Sequence, residues 1–249
     1  MAPPRPSQPE RGRPDAGEAG GRVIRLWRYP VKSMLGEECP SLELDARGVV
    51  GDRLFAVRDA DGKFGSGKST RRFHRIDGLF AFGAAYEADG PRITFPDGRA
   101  MRGDDPGVHA ALSDVLGQPV TLAREAAISH MDAAPLHLLT TASLAWLQGL
   151  LPNAHVDDRR FRPNVLVDVP GAVQVERGWL GKVLHVGPVA LRVLDLTERC
   201  VMVTLPQDDL PPDARVLERL GRDGPTFGVY AEVLVPGTIT RGDPVVLAP

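Results

Sequence analysis

Few residues in this chain are of a type and spacing suited to chemistry, and Cys200 leads them. It follows Arg199 and opens the apolar run Val201-Met202-Val203. An adjacent cation favours the thiolate, which is the nucleophilic and metal-binding form of cysteine. The other cysteine, Cys39, lies in Glu37-Glu38-Cys39-Pro40 and reads as structural. Two cysteines cannot hold an iron–sulfur cluster that requires four thiolates. The 6 histidines are scattered, with no H-x-H, H-x-x-x-H or C-x-x-C spacing, so no zinc site is expected.

The segment Gly62-Lys63-Phe64-Gly65-Ser66-Gly67-Lys68-Ser69 matches the phosphate-loop pattern G-x-x-x-x-G-K-[ST] letter for letter. That pattern binds phosphate only where a strand precedes it and a helix N-terminus follows. Here Thr70–Gly78 lacks an apolar stripe and reaches glycine within three turns. No parallel strand ending in a metal-binding Asp follows in a βαβ array. A glycine-rich hairpin or surface loop is therefore the expectation. Lys63, Lys68, Arg71 and Arg72 crowd it and could meet a small anion.

The elements that must position these residues are mostly short strands. The chain has 249 residues, 43% hydrophobic and 25% charged, enough for one large core or two modest ones. With 27 glycines and 23 prolines, turns and short elements are favoured over long helices. A net charge of −2 gives no basic field for nucleic acid or an anionic membrane surface. No apolar run approaches the roughly 20 residues of a membrane helix. The low cysteine count points to a reducing compartment, and a cytoplasmic protein is expected.

Met1–Gly21 contains no Leu, Ile, Val or aromatic residue and reads as a disordered tail, with order beginning near Arg22. Strands are expected over Val23–Tyr29, Ser41–Leu44, Leu54–Arg58, Leu79–Tyr86, Arg92–Phe95, Val165–Val169, Val183–Val186, Ala190–Leu194, Val201–Leu205, Tyr230–Val235 and Pro244–Leu247. Helices are expected over Val108–Leu116, ending at Gly117, over Thr141–Leu151, and around Ala214–Leu220. Strands at short intervals with Gly/Pro turns suggest barrels rather than a doubly wound sheet.

Six segments in order resemble the MOSC family and its N-terminal companion barrel. They are Tyr29-Pro30-Val31-Lys32-Ser33-Met34, Gly48–Phe55, Met131–Leu144, Arg160-Phe161-Arg162-Pro163-Asn164, Arg199-Cys200-Val201-Met202, and Phe227-Gly228-Val229 with its sequel to Asp243. The two-part arrangement is similar to the mitochondrial amidoxime-reducing components and their bacterial relatives. The resemblance implies a mainly β (α+β) protein with a few helices, built as two β-barrel-like domains with the cofactor site between them. Residues 1–21 would be the tail, 22–127 the N-terminal barrel domain and 128–249 the MOSC domain.

It further implies a molybdenum–pterin cofactor (Mo-molybdopterin) with Cys200 on the metal, a pairing that suits a soft thiolate. Lys32 and Arg53 would lie near the pterin phosphate, with Arg162, Asn164 and Arg199 as further contacts. Arg71 or Arg72 would match the basic position of the following loop. The implied activity is reduction of N-hydroxylated small molecules, with electrons from a separate ferredoxin-like or flavin donor. The alternative is a sulfur (persulfide) or cofactor carrier using Cys200. Two departures bear on this. Many relatives carry Cys-x-Arg-Cys where this chain has Thr197-Glu198-Arg199-Cys200, and the loop Ser69-Thr70-Arg71-Arg72 replaces a Thr-x-Arg-Gln-like segment.

Overall fold

The computed structural model describes residues 18–88 and 90–248. The fold is mixed α+β, and its largest part is a closed barrel. Seven strands form it: β1 (Glu18–Arg28), β2 (Leu136–Thr140), β3 (Val165–Asp168), β4 (Val183–Val186), β5 (Val189–Glu198), β6 (Thr226–Val235) and β7 (Pro244–Leu247). They neighbour one another in the order β3-β2-β6-β5-β4-β7-β1, and β1 pairs back onto β3 to close the ring. Strand β1 does this by dividing its length. Glu18–Arg22 pairs with β7, and Arg22–Leu26 pairs with β3.

Alternation explains the closure. Along β5, Leu191 and Val193 are buried while Arg192 and Leu194 face outward, the period-2 pattern of a half-buried strand. The inward side chains, among them Val23, Leu26, Leu138, Val167, Leu184 and Val229, form one core. Burying each such side chain contributes roughly 1.5–3 kcal/mol. Strand β2 breaks the alternation and is buried at all five positions. Its outer face carries Leu139, which packs with Leu147, Phe161, Val203, Val216 and Phe227 in a second core under the helices.

Among the described residues there are three α-helices: α1 (Val108–Leu116), α2 (Thr141–Leu150) and α3 (Ala214–Gly221). Helix α1 ends at Gly117 in the left-handed conformation, as its glycine suggests. Helix α2 is capped by Thr140, whose side chain accepts from the Ser143 amide at 3.1 Å.

Apart from Glu37–Glu38, which pairs with the end of β1, the remaining strands form three smaller sheets that are not closed among the described residues. One is a meander of Gly83–Glu87, Gly90–Thr94 and Ala100–Arg102. A second centres on Phe55–Arg58, which pairs with Thr121–Arg124, Val31–Lys32 and Phe64–Ser66. These two sheets and α1 share a core that includes Val31, Met34, Val57, Phe82, Ile93, Phe95 and Leu112. The third joins Ser41–Asp45 to Gly237–Thr240.

Three expectations need revision. The tail lies outside the described residues as far as residue 17, but the first strand begins at Glu18, four residues before Arg22. Composition misses this because Gly20 and Gly21 enter the barrel through backbone pairing. Leu79–Ala81 is a 3₁₀ turn launched by left-handed Gly78, and the strand starts only at Gly83. Val201–Thr204 is likewise a 3₁₀ turn rather than a strand. A four-residue apolar run does not distinguish a buried turn from a strand.

Candidate functional site

A cavity of about 500 Å³ gathers most of the residues singled out above. Lys32, Ser33 and Arg53 enter its wall from the first part of the chain. Arg162, Asn164, Arg199 and Cys200 enter from the second. Three of these wall residues, Ser33, Arg53 and Arg162, have left-handed backbones at φ 64°, 50° and 53°. Such strain in non-glycine residues persists where the surroundings enforce it, and it clusters at functional sites.

One end of the wall is a network of charges around Tyr29. The Lys32 ammonium is buried and donates to the His130 carbonyl at 2.9 Å and to the Asp132 carboxylate. Arg53 lies 3.8 Å from the same carboxylate and donates to buried Asp52. Asp52 also accepts from the Tyr29 amide at 2.7 Å. The guanidinium groups of Arg53 and Arg162 stand over the Tyr29 ring at 4.9 and 4.1 Å. Burial pulls the Lys32 pKa below its ordinary value, against the opposing pull of Asp132. Burial also opposes the charge of Arg53, but Asp52 and Asp132 outweigh it and raise the pKa. Burial works against the ionised Asp132 too, yet Lys32 and Arg53 hold that carboxyl well below the usual range. Its side chain remains 55% exposed.

Elsewhere the wall holds buried donors that, among the described residues, have nothing to donate to. Arg160 is 1% exposed; its Nε and Nη2 donate to the carbonyls of His155 and Pro211, and its Nη1 has no partner. Arg162 donates from Nη1 to the Met34 carbonyl at 2.7 Å, while its Nη2 has none. Burial pushes the Arg162 pKa down to about 10. The Thr197 hydroxyl is also buried and unpartnered. Each buried donor left unpaired costs about 1–3 kcal/mol. Three around one cavity call for an acceptor.

Cys200 is a free, half-buried thiol at the start of the 201–204 turn. The preceding residue fixes that turn. Arg199 donates from Nε to the Phe227 carbonyl at 2.8 Å and from Nη1 to the Phe161 carbonyl at 3.0 Å, and its Nη2 meets His137 Nε2. A guanidinium can only donate, so Nε2 accepts and the imidazole is neutral. Burial, reinforced by Arg199, depresses the His137 pKa well below its ordinary value. Gly228 allows this packing: its φ is +81°, and a Cβ there would stand 2.4 Å from His137 Nε2. Asn164 is equally committed, accepting from the His137 amide at 3.2 Å and donating to the Trp27 carbonyl at 3.3 Å. Arg199 and Asn164 thus build the wall, with their polar atoms already engaged.

Arg71 and Arg72 are not part of the lining. Arg71 is exposed, and Arg72 donates to the carbonyls of Ser129 and Met131. Both carbonyls take the same nitrogen, Nη2, and hold the Arg72 side chain against the neighbouring segment. The glycine-rich segment does reach the cavity through Ser66 and Lys68. It runs from the strand Phe64–Ser66 to the strand Phe73–Arg75, which pair in parallel, and no helix follows. The Gly67 amide donates to Met202 Sδ at 3.1 Å. A Cβ on Gly67 would come within 2.6 Å of that sulfur, so the glycine permits close approach to the Cys200 turn.

Sequence reading passed over Asp132, His137, Arg160, Thr197 and Tyr230, which also line the cavity. Asp132 and His137 stand out as the acid and the histidine of an otherwise apolar or small-residue segment, Met131–Leu144. Arg160 sits two residues before Arg162. Nothing local marks Thr197.

The chain is similar to known proteins. Residues 122–246 match the MOSC domain, and residues 20–133 match the MOSC N-terminal beta barrel domain. The mitochondrial amidoxime-reducing component 1 of Mus musculus is 28% identical, with 91% of this chain and 82% of that protein covered. The Homo sapiens protein of the same name is 27% identical, covering 91% and 83%. Among solved structures, the YUAD protein from Bacillus subtilis aligns over 91% of this chain and 94% of its own, at 12% identity and a TM-score of 0.48. YiiM from Geobacillus stearothermophilus aligns over 64% and 71%, at 18% identity and a TM-score of 0.36. The relatives also correct one expectation: they are named as mitochondrial components, which overturns the cytoplasmic placement. Cysteine usage reports a reducing environment and does not say which compartment supplies it. Among the described residues, no helix is long and apolar enough to cross a membrane.

Proposed function

The chain belongs to the MOSC-domain family and carries the N-terminal MOSC beta barrel domain before it, and from that premise we propose that it is a redox enzyme holding a molybdenum–pterin cofactor in the cavity and reducing N-hydroxylated compounds. The observation that supports this reading is the conjunction of one free thiol, Cys200, with three unpartnered buried donors on the same wall. A phosphorylated pterin bears the acceptor oxygens that Arg160, Arg162 and Thr197 lack, and a soft metal takes a thiolate. The residues present therefore fit the group. The split into residues 22–127 and 128–249, with a second barrel-like domain and the cofactor between the two, belongs to this proposal.

Each wall residue then has a task. Cys200 Sγ supplies the thiolate. Arg160 Nη1 and Arg162 Nη2 would donate to phosphate oxygens, and Lys32 and Arg53 would add positive field from the Tyr29 end. Asp132, paired with Lys32 and beside Arg53, would hold those two cations in place. Arg199, His137 and Asn164 hold the Cys200 turn against β2 and make no contact of their own with the cofactor. The bound cofactor supplies two-electron redox chemistry. An amidoxime would take up two electrons and two protons, its N–O bond would break, and amidine and water would leave. The electrons come from a separate ferredoxin-like or flavin donor.

Protein from a host able to make the cofactor should contain about one molybdenum and one pterin per chain and reduce an amidoxime with an artificial electron donor. Folded protein from that host without molybdenum would contradict the reading and favour persulfide or cofactor carriage by Cys200.

A further inference from the structure

Lys68 lines the cavity, yet among the described residues its ammonium makes no hydrogen bond and no ion pair. The other lysine of the wall, Lys32, is bound to Asp132 and the His130 carbonyl. Lys68 Nζ stands 5.5 Å from the centroid of the Phe73 ring, and Phe73 is itself a wall residue.

The backbone beneath Lys68 is pinned. The preceding amide, Gly67 N–H, donates to Met202 Sδ at 3.1 Å, and Ser33 Oγ donates to the Gly65 carbonyl at 3.1 Å. Met202 lies two residues beyond Cys200, so the loop carrying Lys68 is seated on the turn that Cys200 begins. Lys68 is half-buried, whereas Arg160, with its orphaned donor, is 1% exposed. A resident anion meets the deep donors first. A half-buried cation with no counter-ion meets what enters from solvent. Two exposed carboxylates, Asp195 and Glu198, reach the same cavity from β5, so the wall offers both signs of charge to an entering molecule.

We propose that Lys68 recognises an anionic group on the substrate, so that the preferred N-hydroxylated compounds carry a carboxylate, or a group of like charge, remote from the N–O bond. This rests on the reductase reading above and adds the substrate class to it. A lysine ammonium is a compact point charge on a flexible stem, suited to a carboxylate whose position varies among substrates. Phe73 and Met202 give the intervening hydrocarbon an apolar surface.

The test compares benzamidoxime with its 4-carboxylate on cofactor-loaded wild type and Lys68→Met, by calorimetric Kd and by steady-state turnover. Wild type should favour the carboxylate by about tenfold in Kd and KM, the order expected for one charge-assisted hydrogen bond. In Lys68→Met that ratio should fall to near one, with the change in KM rather than kcat. A ratio that is the same in both proteins would overturn the proposal. So would loss of pterin from Lys68→Met, which would make Lys68 a cofactor contact. If neither compound is reduced, the reductase reading fails by itself, and the calorimetric ratio still decides the role of Lys68.

Discussion

A guanidinium nitrogen of Arg199 lies against Nε2 of His137, joining the residue before Cys200 to the strand Leu136–Thr140 of the barrel. The contact makes the imidazole an acceptor and excludes its protonation while the turn is intact. The position of the thiol therefore depends on a neutral histidine in the barrel wall, and several consequences can be measured.

The protein should lose stability as pH falls from 7.5 to 5. Two buried histidines, His130 and His137, have depressed pKa values, His130 near 4 because of its burial. The unfolded chain takes up these protons near the ordinary value of about 6.5, while the folded chain resists them. Stability is thus present above about pH 6.5 and lost as pH drops towards the folded values. His130 alone should account for roughly 2 kcal/mol at pH 5. Denaturant melts of wild type and His130→Gln check this: wild type should lose about that much more than the variant over the interval. Equal losses would show that His130 titrates normally.

Gly228→Ala should destabilise the fold by about 2–4 kcal/mol. The new Cβ would meet His137 Nε2 at 2.4 Å and the Leu138 carbonyl at 2.7 Å, on a backbone at φ +81°. A backbone carbonyl in a central strand cannot step aside. Urea denaturation measures the loss. A variant within about 0.5 kcal/mol of wild type would mean that the packing around His137 is looser than described.

Nucleotide should not bind through Lys68 with the affinity of a phosphate loop, although Gly62–Ser69 carries that pattern. The segment leads into the strand Phe73–Arg75, and the Gly67 amide is spent on Met202 Sδ. Titration of ATP with magnesium should show no saturable micromolar binding. Saturable binding that Lys68→Ala abolishes would contradict this.

The legible part of the molecule was the part written in short, ordered segments. Lys32, Arg53, Arg162, Asn164, Arg199 and Cys200 belong to such segments, and all stand around one cavity. What each does there was less legible. Arg199 and Asn164 turn their polar atoms to the protein, and Arg72 Nη2 donates to carbonyls 57 and 59 residues away in sequence. Those partners are tertiary and leave no local pattern. The same limit applies to the fold. Period-2 alternation marks most strands, but closure of the barrel depends on Glu18–Arg22 finding Pro244–Leu247, a pairing across nearly the whole chain. The 3₁₀ turn at Val201–Thr204 escaped because apolar runs of that length carry no period.

The role of Cys200 is tested most directly by Cys200→Ser. The change is nearly isosteric at a half-buried site, so it should cost no more than about 1–2 kcal/mol in folding. A serine hydroxyl is a harder donor than a thiolate and is scarcely ionised at neutral pH, so it serves molybdenum badly. The measurement is amidoxime turnover with an artificial reductant, taken beside molybdenum content, pterin content and a melting curve. The account predicts a folded variant that retains part of its pterin through Arg160, Arg162, Lys32 and Arg53 and has lost its turnover. A folded Cys200→Ser that keeps most of the wild-type turnover would contradict it.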